Sequence, residues 1–365
     1  MSEIESKFLF TVCQVGAEQV LKDEIARNHP ALRFSYSRPG FVTFKISTED
    51  KIPLNFQLNS IFARTYGLSL GKAKTPEDFI KFAQGLQPKT KDDSTAKQAM
   101  RLHIFERDAY SHSEMPKDFE PGLKAKKLLT QLRQELKACP DLFHSDVISH
   151  VGDLVVDIVI VDEKEWWLGA HEHMSQHAPN LGYPGGAPNI KLPEESPSRA
   201  YLKLEEALLF SNAPLRRGQT AVEIGSAPGG ASFALLERGL KVIGIDPGEM
   251  DPRVLKNPEF SHVKKTVASV LREELPERID WLLLDMNVAP SVSVFQVDRL
   301  VTRMKSSLRG ILLTIKLNDW EMAKEIPHII KHIEAMGISQ VRAKQLYNNR
   351  QEILIYGFTR LGLKS

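Results

Sequence analysis

Cysteine is scarce in this chain. Only Cys13 and Cys139 occur in 365 residues, far apart and in no ligand spacing. That excludes a disulfide-stapled scaffold and a cysteine metal cluster, and leaves two reduced thiols. An excess of one charge is missing too. The formal net charge is +2, so bulk charge announces no nucleic-acid partner and any basic surface has to be local. No apolar run reaches the roughly eighteen residues that a membrane-spanning helix needs. The opening Met1-Ser2-Glu3-Ile4-Glu5 carries acids with no apolar run behind it, so no signal peptide is expected. No repeat of fixed period occurs. These absences point to a cytoplasmic protein without a membrane partner. What is present, 42% hydrophobic and 26% charged residues, suffices for a real core, and the length predicts two or three domains.

Patterning divides the chain. Residues 1–75 read as a small α+β domain: Phe8–Cys13 alternates, Ala17–Ala26 has helical spacing, Gly40–Ile46 alternates again, and Leu58–Tyr66 is helix-like. In residues 76–165, Gln87–Thr95 reads as a polar loop, Arg101–Phe105 as a strand and Gly122–Ala138 as a helix with a basic face. Strands at Asp146–Ile148 and Leu154–Val161 complete a second α+β unit. Between Lys81 and Lys137 twelve Lys/Arg stand against eight Asp/Glu, a mild hint of phosphate affinity that a solvated helix face explains as well. Residues 166–197, rich in Pro, Gly, Asn and His, read as a linker. His171, His173 and His177 fall there. No carboxylate or cysteine cluster accompanies them, so they are read as surface histidines and no metal is expected.

From residue 198 to 365 strands and helices alternate. Thr220–Gly225, Lys241–Asp246, Asp280–Met286 and Gly310–Leu317 are apolar runs separated by helical stretches, the pattern of a doubly wound parallel sheet. Gln340–Leu346 and Glu352–Thr359 are joined by a short polar turn, which demands an antiparallel pair. The sharpest local signal is Val222-Glu223-Ile224-Gly225-Ser226-Ala227-Pro228-Gly229-Gly230, with a helix from Ala231. A strand enters, glycines let backbone approach a ligand, and a helix N-terminus leaves. The spacing is not the dinucleotide Gly-x-Gly-x-x-Gly, and no Lys-Ser/Thr closes a P-loop. Asp246 ends the next strand 21 positions after Gly225 (246 − 225), where a carboxylate can accept from both hydroxyls of a ribose. Together with the terminal hairpin, these features point to S-adenosylmethionine.

Moving a methyl from a sulfonium to a ribose hydroxyl needs in-line placement and removal of a weakly acidic proton. A lysine with a lowered pKa suits that better than a carboxylate. Four ionisable residues are candidates: Lys203 in Ser198-Arg199-Ala200-Tyr201-Leu202-Lys203-Leu204-Glu205-Glu206, Asp285 after Trp281-Leu282-Leu283-Leu284, Lys316 after Leu312-Leu313-Thr314-Ile315, and Glu352 in Arg350-Gln351-Glu352. Singly, each reads as a solvated strand-end charge. An acid and a lysine closing two apolar strands beside a nucleoside crevice carry more weight together.

These residues resemble the FtsJ-like ribose 2′-O-methyltransferases, whose Lys–Asp–Lys–Glu tetrad matches Lys203, Asp285, Lys316 and Glu352 in order and context. The resemblance narrows to the branch of that family acting on large-subunit ribosomal RNA. Ala343-Lys344-Gln345-Leu346-Tyr347 before Glu352, and Val15-Gly16-Ala17-Glu18, Arg38-Pro39-Gly40-Phe41-Val42 and Ser60-Ile61-Phe62-Ala63-Arg64 near the start, carry it. It implies a Rossmann-like class I methyltransferase domain over 198–365, a THUMP-like RNA-binding domain over 76–165, and methylation of one cytidine of 23S rRNA. It further implies Lys316 as proton acceptor, Asp285 and Lys203 tuning it and orienting the hydroxyl, and Glu352 completing the charge network. Ser198, Gly225, Ala227, Pro228, Gly229, Gly230, Asp246 and Asp285 would hold the cofactor. The chain departs from the family where Trp usually follows Gly-Gly (here Ala231), where an acid faces the adenine (here Thr266-Val267-Ala268), and after Asp285. The departures keep open a non-catalytic RNA-binding protein with a degenerate cofactor site. The retained tetrad argues against it.

Overall fold

Strand-forming alternation dominates the first half of the chain, and seven strands there join into one sheet. A computed structural model describes residues 5–47, 51–86, 100–110, 122–162, 165–173 and 178–364. The loop expected at Gln87–Thr95, and His177, lie outside them. Two units form, Met1–Pro188 and Asn189–Ser365.

The first unit contains β1 (Phe8–Val12), α1 (Glu18–Asn28), β2 (Leu32–Arg38), β3 (Phe41–Ile46), β4 (Thr65–Ala73), α2 (Pro76–Leu86), β5 (Arg101–Glu106), α3 (Leu123–Ala138), β6 (Leu154–Asp162) and β7 (Glu165–Glu172). The sheet order is β2-β3-β1-β4-β7-β6-β5, antiparallel except for β5 beside β6. Because β4 pairs with β7, the segments 1–75 and 76–165 share this sheet, and β7 takes up the head of the stretch read as a linker. Among the described residues that follow in this unit are two short 3-10 turns, Pro179–Gly182 and Pro184–Gly186.

Three local expectations fail for identifiable reasons. Leu58–Tyr66 is not helical: the buried Glu24 carboxylate takes the amides of Ile61 (2.8 Å) and Phe62 (3.4 Å) and the Ser60 hydroxyl (2.5 Å), holding an irregular bend. Asp146–Ile148 is no strand, since Asp146 turns back to accept from the Ile148 amide at 3.0 Å. His171 and His173 are buried rather than on the surface. His171 Nδ1 meets Asp157 Oδ2 at 2.7 Å and His173 Nδ1 meets Ser149 Oγ at 3.0 Å.

The second unit contains α4 (Ala200–Ser211), β8 (Thr220–Ile224), α5 (Gly230–Glu237), β9 (Lys241–Ile245), α6 (Pro252–Leu255), β10 (Phe260–Val263), β11 (Trp281–Asp285), α7 (Pro290–Met304), β12 (Gly310–Lys316), α8 (Ile326–Ala335), β13 (Ser339–Lys344) and β14 (Glu352–Phe358). Its sheet runs β10-β9-β8-β11-β12-β14-β13. β8 to β12 are mutually parallel where they pair, and β14 lies antiparallel to both β12 and β13. This is the expected doubly wound sheet closed by an antiparallel hairpin. The apolar strands bury Val222, Leu282, Leu313 and Ile355 at its centre, so their polar ends emerge together at the carboxyl edge. Among the described residues no helix is long and apolar enough to cross a membrane, and no group of three or more His, Cys, Asp or Glu could hold a metal ion.

Candidate active site

Register assembles the charged residues. β12 and β14 pair so that Lys316, last in one, lies opposite Glu352, first in the other. Asp285 ends β11 next to β12, in register with Thr314. Lys203 reaches in from α4, which packs Leu204, Ala207 and Phe210 into the core. The helix is fixed by Glu206. Its buried carboxylate accepts from the amides of Tyr347 (2.8 Å) and Asn348 (2.7 Å) in the β13–β14 turn. One residue thus sets the positions of both Lys203 and Glu352, although its place in the motif carried no expectation.

The four groups form a closed ring. Lys203 Nζ lies 3.2 Å from Asp285 Oδ2 and 2.6 Å from Glu352 Oε1. Lys316 Nζ lies 3.0 Å from Asp285 Oδ1 and also contacts Glu352 Oε2. Side-chain exposure is 21% for Lys203 and Asp285, 18% for Lys316 and 4% for Glu352, so the ring opens on one side. Burial would lower the Lys316 pKa, but Asp285 and Glu352 outweigh it and hold the ammonium above its ordinary range. This reverses the expected lowered lysine pKa: the neighbours that count are anions. Burial likewise raises Glu352, and the two lysines more than cancel it, leaving its carboxyl below the usual range.

The glycine turn lies alongside. Gly225 has φ +80°, and a Cβ there would meet the Asp285 carbonyl oxygen at 2.3 Å. A Cβ on Gly230 would stand 2.3 Å from Ser198 Oγ and 2.7 Å from its carbonyl. Backbone therefore packs where any side chain would intrude, which ties Ser198, the turn and Asp285 into one crevice. Asp246, half-exposed after β9, accepts from the Ala227 amide (3.2 Å) and the Gly248 amide (2.7 Å). A carboxylate offers about four acceptor positions, so two remain for a vicinal diol.

Two further features had no counterpart in the sequence reading. Glu223 on β8 is fully enclosed, and its pKa is pushed up to about 8, mainly by burial and further by Asp285 and Asp246, against the hydrogen bond from Ser232. With Lys203, Asp285 and Ala231 it lines a cavity of about 30 Å³. The signal was an acid inside an otherwise apolar strand. On the side where an acid was missing, Arg299 of α7 donates to the carbonyls of Ala268 (3.0 Å) and Val267, so the guanidinium braces that turn.

Residues 197–332 match the family of FtsJ-like methyltransferases. The Ribosomal RNA large subunit methyltransferase M of Methylococcus capsulatus is 35% identical over 182 residues, 47% of this chain and 50% of its own. That of Xylella fastidiosa is 36% identical over 184 residues, 47% of this chain and 50% of its own. The chain spans about half the length of the curated relatives it matches. Among solved structures, the 1,6-didemethyltoxoflavin-N1-methyltransferase of Burkholderia thailandensis aligns with 43% of this chain and 77% of its own, at 15% identity and a TM-score of 0.34, too low to carry an argument.

Proposed function

We propose that the chain is a cytoplasmic S-adenosylmethionine-dependent methyltransferase acting on a ribose 2′-hydroxyl of RNA, at a cytidine of 23S rRNA. The observation that carries this is the four-membered Lys–Asp–Lys–Glu ring opening beside a glycine turn whose Ala227 amide is held by Asp246. The names of the relatives supply the substrate class. The THUMP-like role of 76–165 belongs to the same proposal.

The residues fit the cofactor. Asp246 has acceptor positions left for the ribose diol, and Gly225, Ala227, Pro228, Gly229 and Gly230 with Ser198 would hold the rest of the cofactor, Gly225 and Gly230 packing so closely on Asp285 and Ser198 that the turn stands beside the ring. When bound, S-adenosylmethionine supplies an electrophilic methyl on a sulfonium. Lys316 Nζ accepts the hydroxyl proton, and Asp285 and Glu352 stabilise the ammonium that forms. Lys203 holds both carboxylates in place, 3.2 Å from Asp285 and 2.6 Å from Glu352. Since those carboxylates also hold Lys316 protonated at rest, the lysine has to release a proton before each transfer, and the rate should climb as pH rises. A flat pH–rate profile for the chemical step would remove Lys316 from the role of base.

The test is transfer of labelled methyl from S-adenosylmethionine to unmodified 23S rRNA transcript, with Lys316→Ala as control. Label at a single ribose 2′-oxygen, absent with the variant, upholds the reading. Cofactor binding without label on rRNA overturns the substrate. The second reading, an RNA-binding protein without catalysis, is favoured by the arginine-braced turn where an acid was expected; absence of cofactor binding would support it.

A further inference from the structure

A candidate site lies on the sheet of the N-terminal unit. Gly67 on β4 and Gly169 on β7 leave room for the Phe10 ring, which a Cβ at either would meet at 2.9 and 2.3 Å. Phe41 and Trp167 continue the same aromatic layer, 5.1 Å apart edge to face. At its rim Tyr36 of β2 reaches across to Trp167, the rings stacked 5.6 Å apart with planes at 20°. Both rings are half-buried, with exposed cations over them: Lys72 Nζ is 4.2 Å from the Trp167 ring centre, and the Arg38 guanidinium is 5.3 Å from that of Tyr36. The groove they border, about 550 Å³, also takes in Lys7 and Thr43. Its volume is within the range of about 300–1,000 Å³ that encloses small ligands.

We propose that this rim is a base-stacking site for single-stranded RNA, in which an unpaired base lies on the Tyr36–Trp167 pair and Lys7, Arg38 and Lys72 meet the flanking phosphates. Aromatic faces set among cations take any base, because every base has a π-face. Charge fits as well. Among the described residues of the rim and their ion-pair partners, Lys7, Arg38, Lys51 and Lys72 stand against Glu5 and Glu165, so the groove carries a positive excess. An exposed cation over a ring is held weakly, and the surface ion pair of Lys72 with Glu165 adds little to that hold, so Lys72 and Arg38 can swing to phosphate while a base takes their place. A base inside a duplex cannot enter. The choice of RNA as occupant rests on the methyl-transfer reading above.

The experiment is fluorescence anisotropy of a labelled single-stranded oligoribonucleotide with the full chain, without methyl donor, against the same sequence as a duplex. Trp167→Ala should weaken single-strand binding about 5-fold or more, the loss of one stacked base, and leave duplex binding unchanged. Trp167→Phe should keep most of the affinity, and Lys72→Gln should lower the salt slope by about one. Equal binding by parent and Trp167→Ala, or equal losses for single strand and duplex, overturns the site. Should Trp167→Ala fail to fold, the other two variants decide: a Trp167→Phe variant that loses about 5-fold or more of the single-strand affinity, or an unchanged salt slope with Lys72→Gln, overturns it. Because methyl transfer is not the readout, a protein that stacks RNA but transfers no methyl upholds this site and overturns the other proposal.

Discussion

Each unit sets two basic side chains against carboxylates, and the two settings differ in access. In the N-terminal unit Asp157 lies between His103 and His171, at 3.7 and 2.7 Å, and none of the three side chains is more than 2% exposed. The acceptors around each ring fix its protonation. His171 faces Asp157 through Nδ1 and the Leu181 carbonyl, 3.2 Å away, through Nε2, so both nitrogens have a use for a proton. His103 hydrogen-bonds only the Val147 carbonyl, at 2.9 Å, and burial above all drives its pKa down to about 4. In the C-terminal unit the Lys203–Asp285–Lys316–Glu352 ring sits at strand ends with one side open. The sealed cluster has no path to a substrate and acts on stability; the open ring can exchange a proton with one.

Breaking the open ring should have the largest effect. Lys316→Ala is expected to slow single-turnover methyl transfer about 10²–10⁴-fold, the usual contribution of a positioned base, with cofactor affinity measured by calorimetry unchanged. Loss of cofactor binding in step with the rate would mean that the ring builds the cofactor site instead. Next comes the sealed cluster. Asp157→Ala strips His171 of its counter-ion inside the sheet and should cost about 3–5 kcal/mol, read as lost amide protection along β6 and β7 by hydrogen exchange. A cost no larger than the roughly 1 kcal/mol of a surface pair would erase the contrast between the two clusters.

The open ring was legible in the sequence and the sealed cluster was not, for a physical reason. Lys203, Asp285, Lys316 and Glu352 end or begin apolar runs, so each stands out against its neighbours, and the parallel-sheet rule gathers strand ends at one edge. His103 and Asp157 sit in the middle of strands, and only the pairing of β5, β6 and β7 brings them beside His171. The missed strands have a local cause instead. β2 is largely exposed and lacks alternation, while β7 lies where Gly, His and Pro signalled a loop. Glu206 is a further non-local case, since its partners stand 141 and 142 residues away. The reversed Lys316 pKa has the same root: the sequence supplied both signs of charge, and geometry decided that each lysine touches two anions.

Glu223 sharpens the comparison from the other side, as a sealed acid within the open unit. Its folded pKa, about 8, stands above the unfolded value of about 4.3. Between those values the folded state keeps a proton that the unfolded chain releases, so stability falls as pH rises through that window. Glu223→Gln keeps the shape, leaves a partner for the Ser232 hydroxyl and removes the titration. It should stabilise the protein by several kcal/mol near pH 8 and by almost nothing near pH 4, measured by denaturant unfolding at the two pH values. A gain independent of pH would mean that packing, not ionisation, sets the cost of the glutamate.

The smallest expected effect tests the sealed cluster by pH alone. His103 is neutral in the fold down to about pH 4, whereas the unfolded chain takes up a proton below about 6.5; stability contributed here is lost as pH falls through that interval. For His171, burial lowers the pKa but the charge and hydrogen bond of Asp157 outweigh it, so the folded value lies above the ordinary one. Its contribution is complete below about 6.5 and is lost as pH rises through the folded pKa. The opposing signs predict greatest protection of the β6 amides near pH 6.5, falling on either side, after correction for intrinsic exchange. Asp157→Asn separates the limbs. Without the carboxylate His171 has no reason to stay charged, so the alkaline limb should vanish, while burial of His103 keeps the acid limb. Survival of the alkaline limb in that variant would place the titration outside the cluster.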